Sequence, residues 1–366
     1  MNFALSDEQV MLREAAANAL SRFDGVAAAR AAADGAEPHD IWPLACDAGW
    51  TGLLVTEEHG GAGLGAFDAM LVMEECGRRL TGTGLLGHLL ATHVLDDDPA
   101  LAAGEQRAAL APARPPAEDE GWTVERRGDG RGRAPAPRFA DGQVTGEVAY
   151  VPDLAGADVI VVVCEGPVAV AVDSGAVVER VVRYDATRPL GHAVFDGTPA
   201  RALDADPERL ASAWYLAQAL LAADALGGCQ AMLEMGVAYA KERHAFGRPI
   251  GSYQAVKHQL VEILRRVDLI RNLCYFAGYA ADGKPEEWPL AASCARYAAE
   301  HGYDYATRTC IAVHGGIGAT WEHDAPFFWR RAQLSRLLLG GAADAGDRVA
   351  TEIIAKARAS AERAPA

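Results

Sequence analysis

Two short clusters of glycine, charged and ring-bearing residues interrupt the long apolar runs of this sequence. The first is Arg243-His244-Ala245-Phe246-Gly247-Arg248-Pro249-Ile250, and the second is His314-Gly315-Gly316-Ile317-Gly318. Arg243 supplies a planar, permanently charged donor that suits a pyrophosphate, and Phe246 and nearby Gln254 add an aromatic contact and a hydrogen bond. Consecutive glycines at Gly315 and Gly316 let the backbone approach a ligand and point N–H groups at phosphate oxygens. The two clusters therefore predict a site for a large anionic ligand.

Each cluster also has a purely structural explanation. Arg243 follows a long helical run, where an arginine interacts favourably with the helix dipole, and Gly247 with Pro249 can simply end that helix. The neighbouring ring can belong to the core, and the glycines from Gly315 can form a helix C-cap. His314 has no partner at metal-ligand spacing, so we expect no metal. The sequence also lacks a Walker lysine motif and a Ser-His-Asp order with a nucleophile elbow.

Composition limits the class of protein. The chain has 366 residues, 50% of them hydrophobic, which favours two or three packed regions. Its formal net charge of -16 argues against nucleic acid and anionic membranes as partners, although a local basic pocket remains possible. The seven cysteines form no CxxC pair, which indicates a reducing, cytoplasmic setting. We recognise no signal peptide and no uncharged apolar stretch long enough to span a bilayer.

The periodicity changes twice along the chain and predicts an α, then β, then α order. Ser6 and Gln9 form a capping box that opens the first helix. We expect an N-terminal helical domain over residues 1–108, a middle β domain over 109–205 and a C-terminal helical bundle over 206–366. Helices are predicted at 40–48, 66–79, 211–242, 252–282, 288–313 and 344–363, and strands at 143–151, 159–164, 168–172, 177–182 and 193–195.

The combination of these features is more specific than any one of them. Residues 239–254, which run from a long helix through R-x-x-F-G-x-x-I to Gln254, and residues 314–324 resemble the two flavin-contacting segments of the acyl-CoA dehydrogenase family. The N-terminal Leu-Ser-Asp-Glu-Gln helix and the α–β–α order fit as well. The resemblance implies an α+β multi-domain fold, with an N-terminal helical domain, a middle β-barrel-like domain and a C-terminal four-helix bundle.

The resemblance also implies the chemistry. FAD would lie at a subunit interface, with Arg243, Phe246 and Gln254 contacting the FAD of the neighbouring subunit, and with Gly315 and Gly316 against its pyrophosphate. The family converts an acyl-CoA thioester to the 2,3-enoyl-CoA: a carboxylate removes the α-proton and the flavin takes a hydride from the β-carbon. An α-C–H beside a thioester is a weak acid, so a positioned base in a dry site is required.

The sequence departs from the family where that base is expected. Gly340 stands in the place of the usual glutamate, and Ala342 replaces a flavin-contacting threonine. Some members carry the glutamate on the helix before the arginine, but that position falls here near Ala217-Gln218. Ala312 replaces a flavin-binding glutamine, and residues 109–116 occupy the place of the flavin loop without offering a hydroxyl.

With these losses, the sequence resembles the base-less subunit of actinobacterial α2β2 heterotetrameric acyl-CoA dehydrogenases of the steroid side-chain type. The resemblance implies a subunit that lacks the base, completes the FAD site of a sister subunit, and works with an acyl-CoA substrate and an electron-accepting flavoprotein. Two alternatives stay open. The chain could be an active homotetramer that uses another carboxylate, Asp344 or Glu242, or a flavin-free subunit that binds acyl-CoA or acts as a scaffold.

Overall fold

The N-terminal part of the chain is helical. A computed structural model describes residues 4–82, 84–116, 120–128, 132–166, 168–173, 175–182 and 184–362. The capping box is confirmed: the Ser6 hydroxyl accepts from the Gln9 N–H at 3.2 Å, and the Gln9 side chain accepts from the Ser6 N–H at 3.1 Å. The helices of this part are α1 (Asp7–Ala19), α2 (Gly25–Ala33), α3 (Trp42–Asp47), α4 (Ala66–Arg78), α5 (Leu85–Val94) and α6 (Pro99–Ala102).

The middle part forms two four-stranded sheets and a hairpin. Its strands are β1 (Ala108–Ala111), β2 (Thr123–Glu125), β3 (Arg133–Pro135), β4 (Arg138–Ala140), β5 (Gln143–Pro152), β6 (Val159–Cys164), β7 (Val168–Val172), β8 (Val177–Val181), β9 (Leu190–Pro199) and β10 (Arg201–Ala202). One sheet has the order β1-β6-β7-β10, the other has the order β4-β5-β9-β8, and β2 pairs with β3. All pairings are antiparallel except that of β1 with β6.

The C-terminal part is a bundle of long helices. Its elements are α7 (Pro207–Glu242), β11 (His244–Ala245), β12 (Arg248–Pro249), α8 (Gln254–Gly283), α9 (Trp288–His314), α10 (Ala325–Ser335) and α11 (Gly341–Glu362). Helix α9 packs against α7, α8, α10 and α11. The predicted fold class is thereby confirmed. Short 3₁₀ turns lie at Leu20–Arg22, Trp50–Gly52, Glu57–His59, Ile250–Ser252, Pro285–Glu287, Gly315–Ala319 and Leu338–Gly340.

Helix α7 is the core of the bundle. By length and composition it could cross a membrane, but 89% of its most apolar stretch is buried inside the protein. Glycines bring its neighbours close. A Cβ added at Gly77 of α4 would lie 1.9 Å from the Asp224 carbonyl oxygen, and one at Gly227 would lie 1.9 Å from the Glu74 carbonyl oxygen. Since α4 and α7 touch backbone to backbone there, any larger residue would push them apart.

A buried ion cluster joins the three parts of the chain. The guanidinium of Arg331 on α10 pairs with Asp185 and with Asp224, the latter at 3.1 Å, and donates to the Thr81 carbonyl oxygen at 2.7 Å. Arg188 pairs with Asp224 at 2.8 Å. Because its two arginines and two aspartates balance in charge, the cluster can stay buried.

Candidate functional site

The segment after α7 folds into a tight hairpin that presents an aromatic ring to solvent. Strands β11 and β12 pair, and the two residues between them, Phe246 and Gly247, have φ of +51° and +79°. Positive φ at both central positions is the backbone of a type I′ turn. Phe246 is 97% exposed, so the reading in which its ring belongs to the core is wrong. Arg243, at the base of the hairpin, is exposed as well.

The second glycine cluster lies at the same end of the bundle. His314, the last residue of α9, stacks on Tyr239 of α7 with ring centroids 4.1 Å apart, and its Nδ1 lies 2.7 Å from the Cys310 carbonyl oxygen. Since a carbonyl only accepts, Nδ1 carries the proton. Gly315 and Gly316 follow on the surface, and a Cβ at either would meet nothing within 4 Å. The backbone there is open to a large ligand.

Gln254 lies on the same surface as the first residue of α8. Among the residues that the structure describes, no side chain caps the N-terminus of this helix, so its first N–H groups and the positive end of the dipole face solvent beside the hairpin. The structure therefore brings together all five predicted flavin contacts: Arg243, Phe246, Gln254, Gly315 and Gly316.

The segment at Gly340 has an unusual backbone. Leu339, Gly340 and Gly341 have φ of +51°, +77° and +56° in succession. A Cβ at Gly340 would lie 2.2 Å from an Asp344 carboxylate oxygen, and one at Gly341 would lie 1.9 Å from the Arg336 carbonyl oxygen. A side chain at 340 therefore meets both a steric and a conformational barrier.

Glu125 on β2 fills the place beside Gly340, and nothing in the sequence pointed to it. Its carboxylate accepts from the Gly340 N–H at 2.7 Å. Burial raises the pKa of this glutamate to about 7, against the lowering effects of the Gly340 N–H and Arg133. The adjoining cleft, lined by Tyr150, Tyr184, Leu190, Leu334, Leu337 and Leu338, has a volume of about 20 Å³. That is room for roughly one water molecule and not for a thioester.

Asp344, the second carboxylate near Gly340, is held by arginines. Arg133 on β3 donates to it at 2.9 Å, and the Arg114 guanidinium lies 3.9 Å away. Arg348 on α11 donates to the Pro115 carbonyl oxygen at 2.9 Å. Residues 109–116, which stand in the place of the family's flavin loop, are therefore fastened to α11.

Both positions at which a family base was expected lie at this same end of α7. Gln218 is buried on α7, and its amide donates to the Leu339 carbonyl oxygen at 3.3 Å. The guanidinium of Arg296 donates to the Ser335 and Leu338 carbonyl oxygens at 2.7 and 2.9 Å. Glu242, by contrast, is exposed at the other end of α7. Asp344 and Glu242 thus belong to different places in the molecule.

The two groups of site residues are far apart within one chain. Residues 218 and 242 are separated by 24 positions of α7, which corresponds to about 36 Å along the axis at about 1.5 Å per residue. Gly340 lies beside the first, and the Phe246 hairpin follows the second. One ligand cannot reach the base position and the Arg243 cluster at such a separation unless it is very extended.

Comparisons with known proteins identify the class. A family model of the acyl-CoA dehydrogenase N-terminal domain matches residues 6–108, and one of the C-terminal domain matches residues 212–357. The chain belongs to the acyl-CoA dehydrogenase family of flavoprotein oxidoreductases, and the solved structures that share its fold include an FAD complex of PigA.

Particular relatives narrow the comparison. The acyl-CoA dehydrogenase IpdE2 of Mycobacterium tuberculosis is 32% identical over 354 residues, which cover 95% of this chain and 98% of IpdE2. A solved structure of a variant of the Tcur3481-Tcur3483 steroid ACAD has a TM-score of 0.79 and 26% identity, with 96% of this chain and 99% of that chain covered. A chain of the ChsE4-ChsE5 complex from Mycobacterium tuberculosis has a TM-score of 0.80 and 20% identity, with 100% of this chain and 100% of that chain covered.

The two ends of α7 differ in how they fit FAD. The Arg243 end fits a dinucleotide: it has an exposed guanidinium, an uncapped helix N-terminus and glycines with open space above them. The Gly340 end does not, because the Glu125 carboxylate and the pairs of Asp344 with two arginines already occupy it. Among the described residues, no group of three or more His, Cys, Asp or Glu side chains could hold a metal ion.

Proposed function

We propose that this chain is the subunit without the catalytic base in a heteromeric, FAD-dependent acyl-CoA dehydrogenase, and that it completes the FAD site of a sister subunit. The observation that carries the proposal is that the Gly340 turn has no side chain at the expected base position and is occupied by Glu125 and the arginine-paired Asp344, while the Arg243 surface, about 36 Å away along α7, stays open. A chain that keeps only the Arg243 surface can contribute to an FAD site for which another chain supplies the catalytic base and the remaining cofactor contacts.

The residues of the open end have separate tasks in this proposal. Arg243 and the free N–H groups at the start of α8 bind the pyrophosphate, and Gly315 with Gly316 lets the backbone approach it. Phe246 covers an apolar part of the cofactor, and Gln254 donates a hydrogen bond to it. When bound there, the FAD would supply a hydride acceptor for the β-carbon of the acyl-CoA. The chain's own groups orient the cofactor and exclude water from it.

The proton of the α-carbon goes to a carboxylate of the sister subunit in this scheme. In this chain Gly340 carries no side chain, and the neighbouring Asp344 is bound by two arginines. The names of the solved neighbours, the Tcur3481-Tcur3483 steroid ACAD and the ChsE4-ChsE5 complex, support an assembly of two different chains. By the same analogy the acyl group is lipid- or steroid-derived, and the assembly is a heterotetramer.

The proposal also includes a redox partner, a cellular location and a domain organisation. Reduced flavin has to be reoxidised, so we include an electron-accepting flavoprotein as the redox partner. The seven cysteines are free, which supports a cytoplasmic location. The division into regions 1–108, 109–205 and 206–366 is kept as the proposed domain organisation.

A second candidate, an active homotetramer, is favoured by one observation. Glu125 is a buried carboxyl with a pKa raised to about 7, which suits a general base. It lies beside Gly340, whereas Asp344 is paired and Glu242 is at the other end of α7. The cleft next to Glu125 would have to open widely to admit a thioester, which is why we rank this candidate second.

Expression of the full chain alone and together with a sister acyl-CoA dehydrogenase tests the proposal. We expect the lone chain to purify without FAD and without acyl-CoA oxidation, and the co-purified complex to hold one FAD per pair of chains and to be active. Arg243→Gln should strip FAD from the complex, whereas Arg265→Gln, a change at an exposed arginine of α8, should not. A lone chain that binds FAD stoichiometrically and oxidises an acyl-CoA would overturn the proposal. A complex free of FAD would instead support the scaffold alternative.

If the lone chain is active, the same preparation decides the second candidate. Glu125→Gln would then abolish turnover while FAD stays bound, whereas Asp344→Asn would leave turnover intact. Retained turnover in the Glu125→Gln protein would remove Glu125 as the base.

A further inference from the structure

The Phe246 hairpin combines features that its own chain does not explain. A non-glycine residue at positive φ is uncommon and is disfavoured for a bulky side chain, yet Phe246 has φ of +51°. Its ring is 97% exposed. A hairpin of six residues without a hydrophobic face is not stable by itself in water. Contacts from outside the two short strands must therefore hold this shape.

Tyr253, the residue before α8, supplies those contacts. Its hydroxyl donates to the Ala245 carbonyl oxygen of β11 at 2.9 Å. On its ring face lies the guanidinium of Arg248 from β12, 4.2 Å from the ring centroid, which is cation–π geometry. The Tyr253 side chain thus contacts both strands, and its ring lies nearly perpendicular to that of Phe246, with centroids 6.5 Å apart.

Backbone bonds complete the frame at the base of the hairpin. The Ile250 N–H donates to the Arg243 carbonyl oxygen at 2.7 Å, and the Arg243 N–H donates to the Tyr239 carbonyl oxygen at 2.8 Å. Since Tyr239 also stacks on His314, the hairpin base is fixed to both α7 and α9. The tip, Phe246 with Gly247, and the pairing of β11 with β12 next to it depend on Tyr253 and Arg248 for their order.

We propose that Tyr253 and Arg248 are positioning residues that hold Phe246 in its docking conformation before the partner arrives. The inference rests on the proposed function, in which this hairpin contacts FAD held by a sister subunit. A preformed loop loses less conformational freedom on binding than a mobile one, so it associates faster and holds longer. Neither residue touches the cofactor in this scheme, and both act through the Phe246 ring.

The first test uses the lone, full-length chain. Tyr253→Phe removes the hydroxyl and keeps a ring for Arg248. Hydrogen exchange of the amides from 244 to 248 should become about three- to tenfold faster, the effect of losing one hydrogen bond of ordinary net strength. Tyr279→Phe, at a half-exposed tyrosine of α8, is the matched control and should leave these amides unchanged. Unchanged exchange in Tyr253→Phe would overturn the proposal, whatever the complex does.

The second test measures association with the FAD-loaded sister chain. Tyr253→Phe should slow association by a similar factor, and so should Phe246→Ala. In the Phe246→Ala background, Tyr253→Phe should have no further effect, because it acts only through that ring. Additive effects would mean a merely structural role and overturn the inference. If Phe246→Ala associates and retains FAD like the wild type, the docking role of the hairpin itself is wrong, although the exchange result stands.

Discussion

The carboxylate of Glu125 accepts a hydrogen bond of 2.7 Å from the backbone N–H of Gly340, the position at which the sequence led us to expect the family's catalytic glutamate. The bond joins the β2–β3 hairpin to the turn before α11. It places the buried acidic group of a residue on β2 beside Gly340. The turn therefore requires a glycine at position 340. The carboxylate next to it comes from Glu125 on β2 and not from the turn itself.

Gly340→Glu should consequently not restore a base. The new Cβ would lie 2.2 Å from Asp344, at a φ of +77° that side chains rarely adopt, and the new carboxylate would face that of Glu125. We expect a loss of at least about 2 kcal/mol in the free energy of unfolding and no gain of acyl-CoA oxidation by the lone chain. Chemical denaturation and a turnover assay check this. Gly121→Ala, where a Cβ meets nothing within 4 Å, is the neutral control. A stable, active Gly340→Glu chain would contradict this view of the turn.

Glu125 should also make the stability of the protein depend on pH. Burial raises its pKa from the ordinary 4.5 to about 7, so the folded state binds more protons than the unfolded chain between these values. The corresponding stability is fully present below about pH 4.5 and is lost as the pH rises through about 7. Glu125→Gln keeps an acceptor for Gly340 but no longer titrates. It should remove up to about 1.4 kcal/mol per pH unit from the slope in that window.

Urea unfolding at several pH values from 5 to 8 measures this slope. Glu58→Gln, a change at an exposed glutamate of the N-terminal part, is the matched control and should leave the profile as it is. Identical slopes for the wild type and Glu125→Gln would mean that Glu125 is not the titrating group.

The elements with strong local patterns could be predicted from the sequence. Strands 159–164 and 168–172 have the predicted bounds, because β-branched runs between turn residues have few alternatives. The long helices of the bundle were predicted to within a few residues at each end. Helix α5 was missed since it is apolar on all sides and buried, so it lacks the amphipathic period. Helix α2 buries residues 25, 29 and 32 at helical spacing, but its exposed face is mostly alanine as well, so the period does not stand out in the sequence.

The candidate site likewise contains local motifs, which the sequence could predict, and contacts between distant residues, which it could not. The Arg243 and Gly315 clusters are local motifs, so the sequence alone was enough to propose them as flavin contacts. The bond between Glu125 and Gly340 joins residues 215 positions apart, and nothing in Thr-Val-Glu distinguishes Glu125 from an ordinary strand residue. The contacts of Tyr253 with Ala245 of β11 and Arg248 of β12 could not be predicted either, because they depend on the geometry of the turn between the strands, which the sequence does not determine.

Arg331 should be the most damaging arginine to remove. It is fully buried, pairs with Asp185 and Asp224, and donates to the Thr81 carbonyl oxygen, so its loss leaves the buried Asp185 without its salt bridge and Asp224 with Arg188 alone. We expect Arg331→Met to cost about 3–5 kcal/mol of the free energy of unfolding. Arg308→Met removes an exposed pair with Asp304 and should cost less than about 1 kcal/mol. Similar costs for the two variants would show that the cluster does not hold the three parts together.

Gly315 and Gly316 should respond differently to the same small change. Gly315 has φ of +69°, so Gly315→Ala strains the backbone and should lower the stability of the lone chain by about 1–3 kcal/mol. Gly316 has no such backbone requirement, and a Cβ there meets nothing within 4 Å of its own chain.

Gly316→Ala should therefore melt like the wild type when the chain is alone, yet weaken FAD retention in the complex with the sister subunit, because the added methyl stands where the cofactor approaches. Thermal unfolding of the lone chain and FAD titration of the complex separate the two effects. An FAD affinity unchanged by Gly316→Ala would place the pyrophosphate away from this loop.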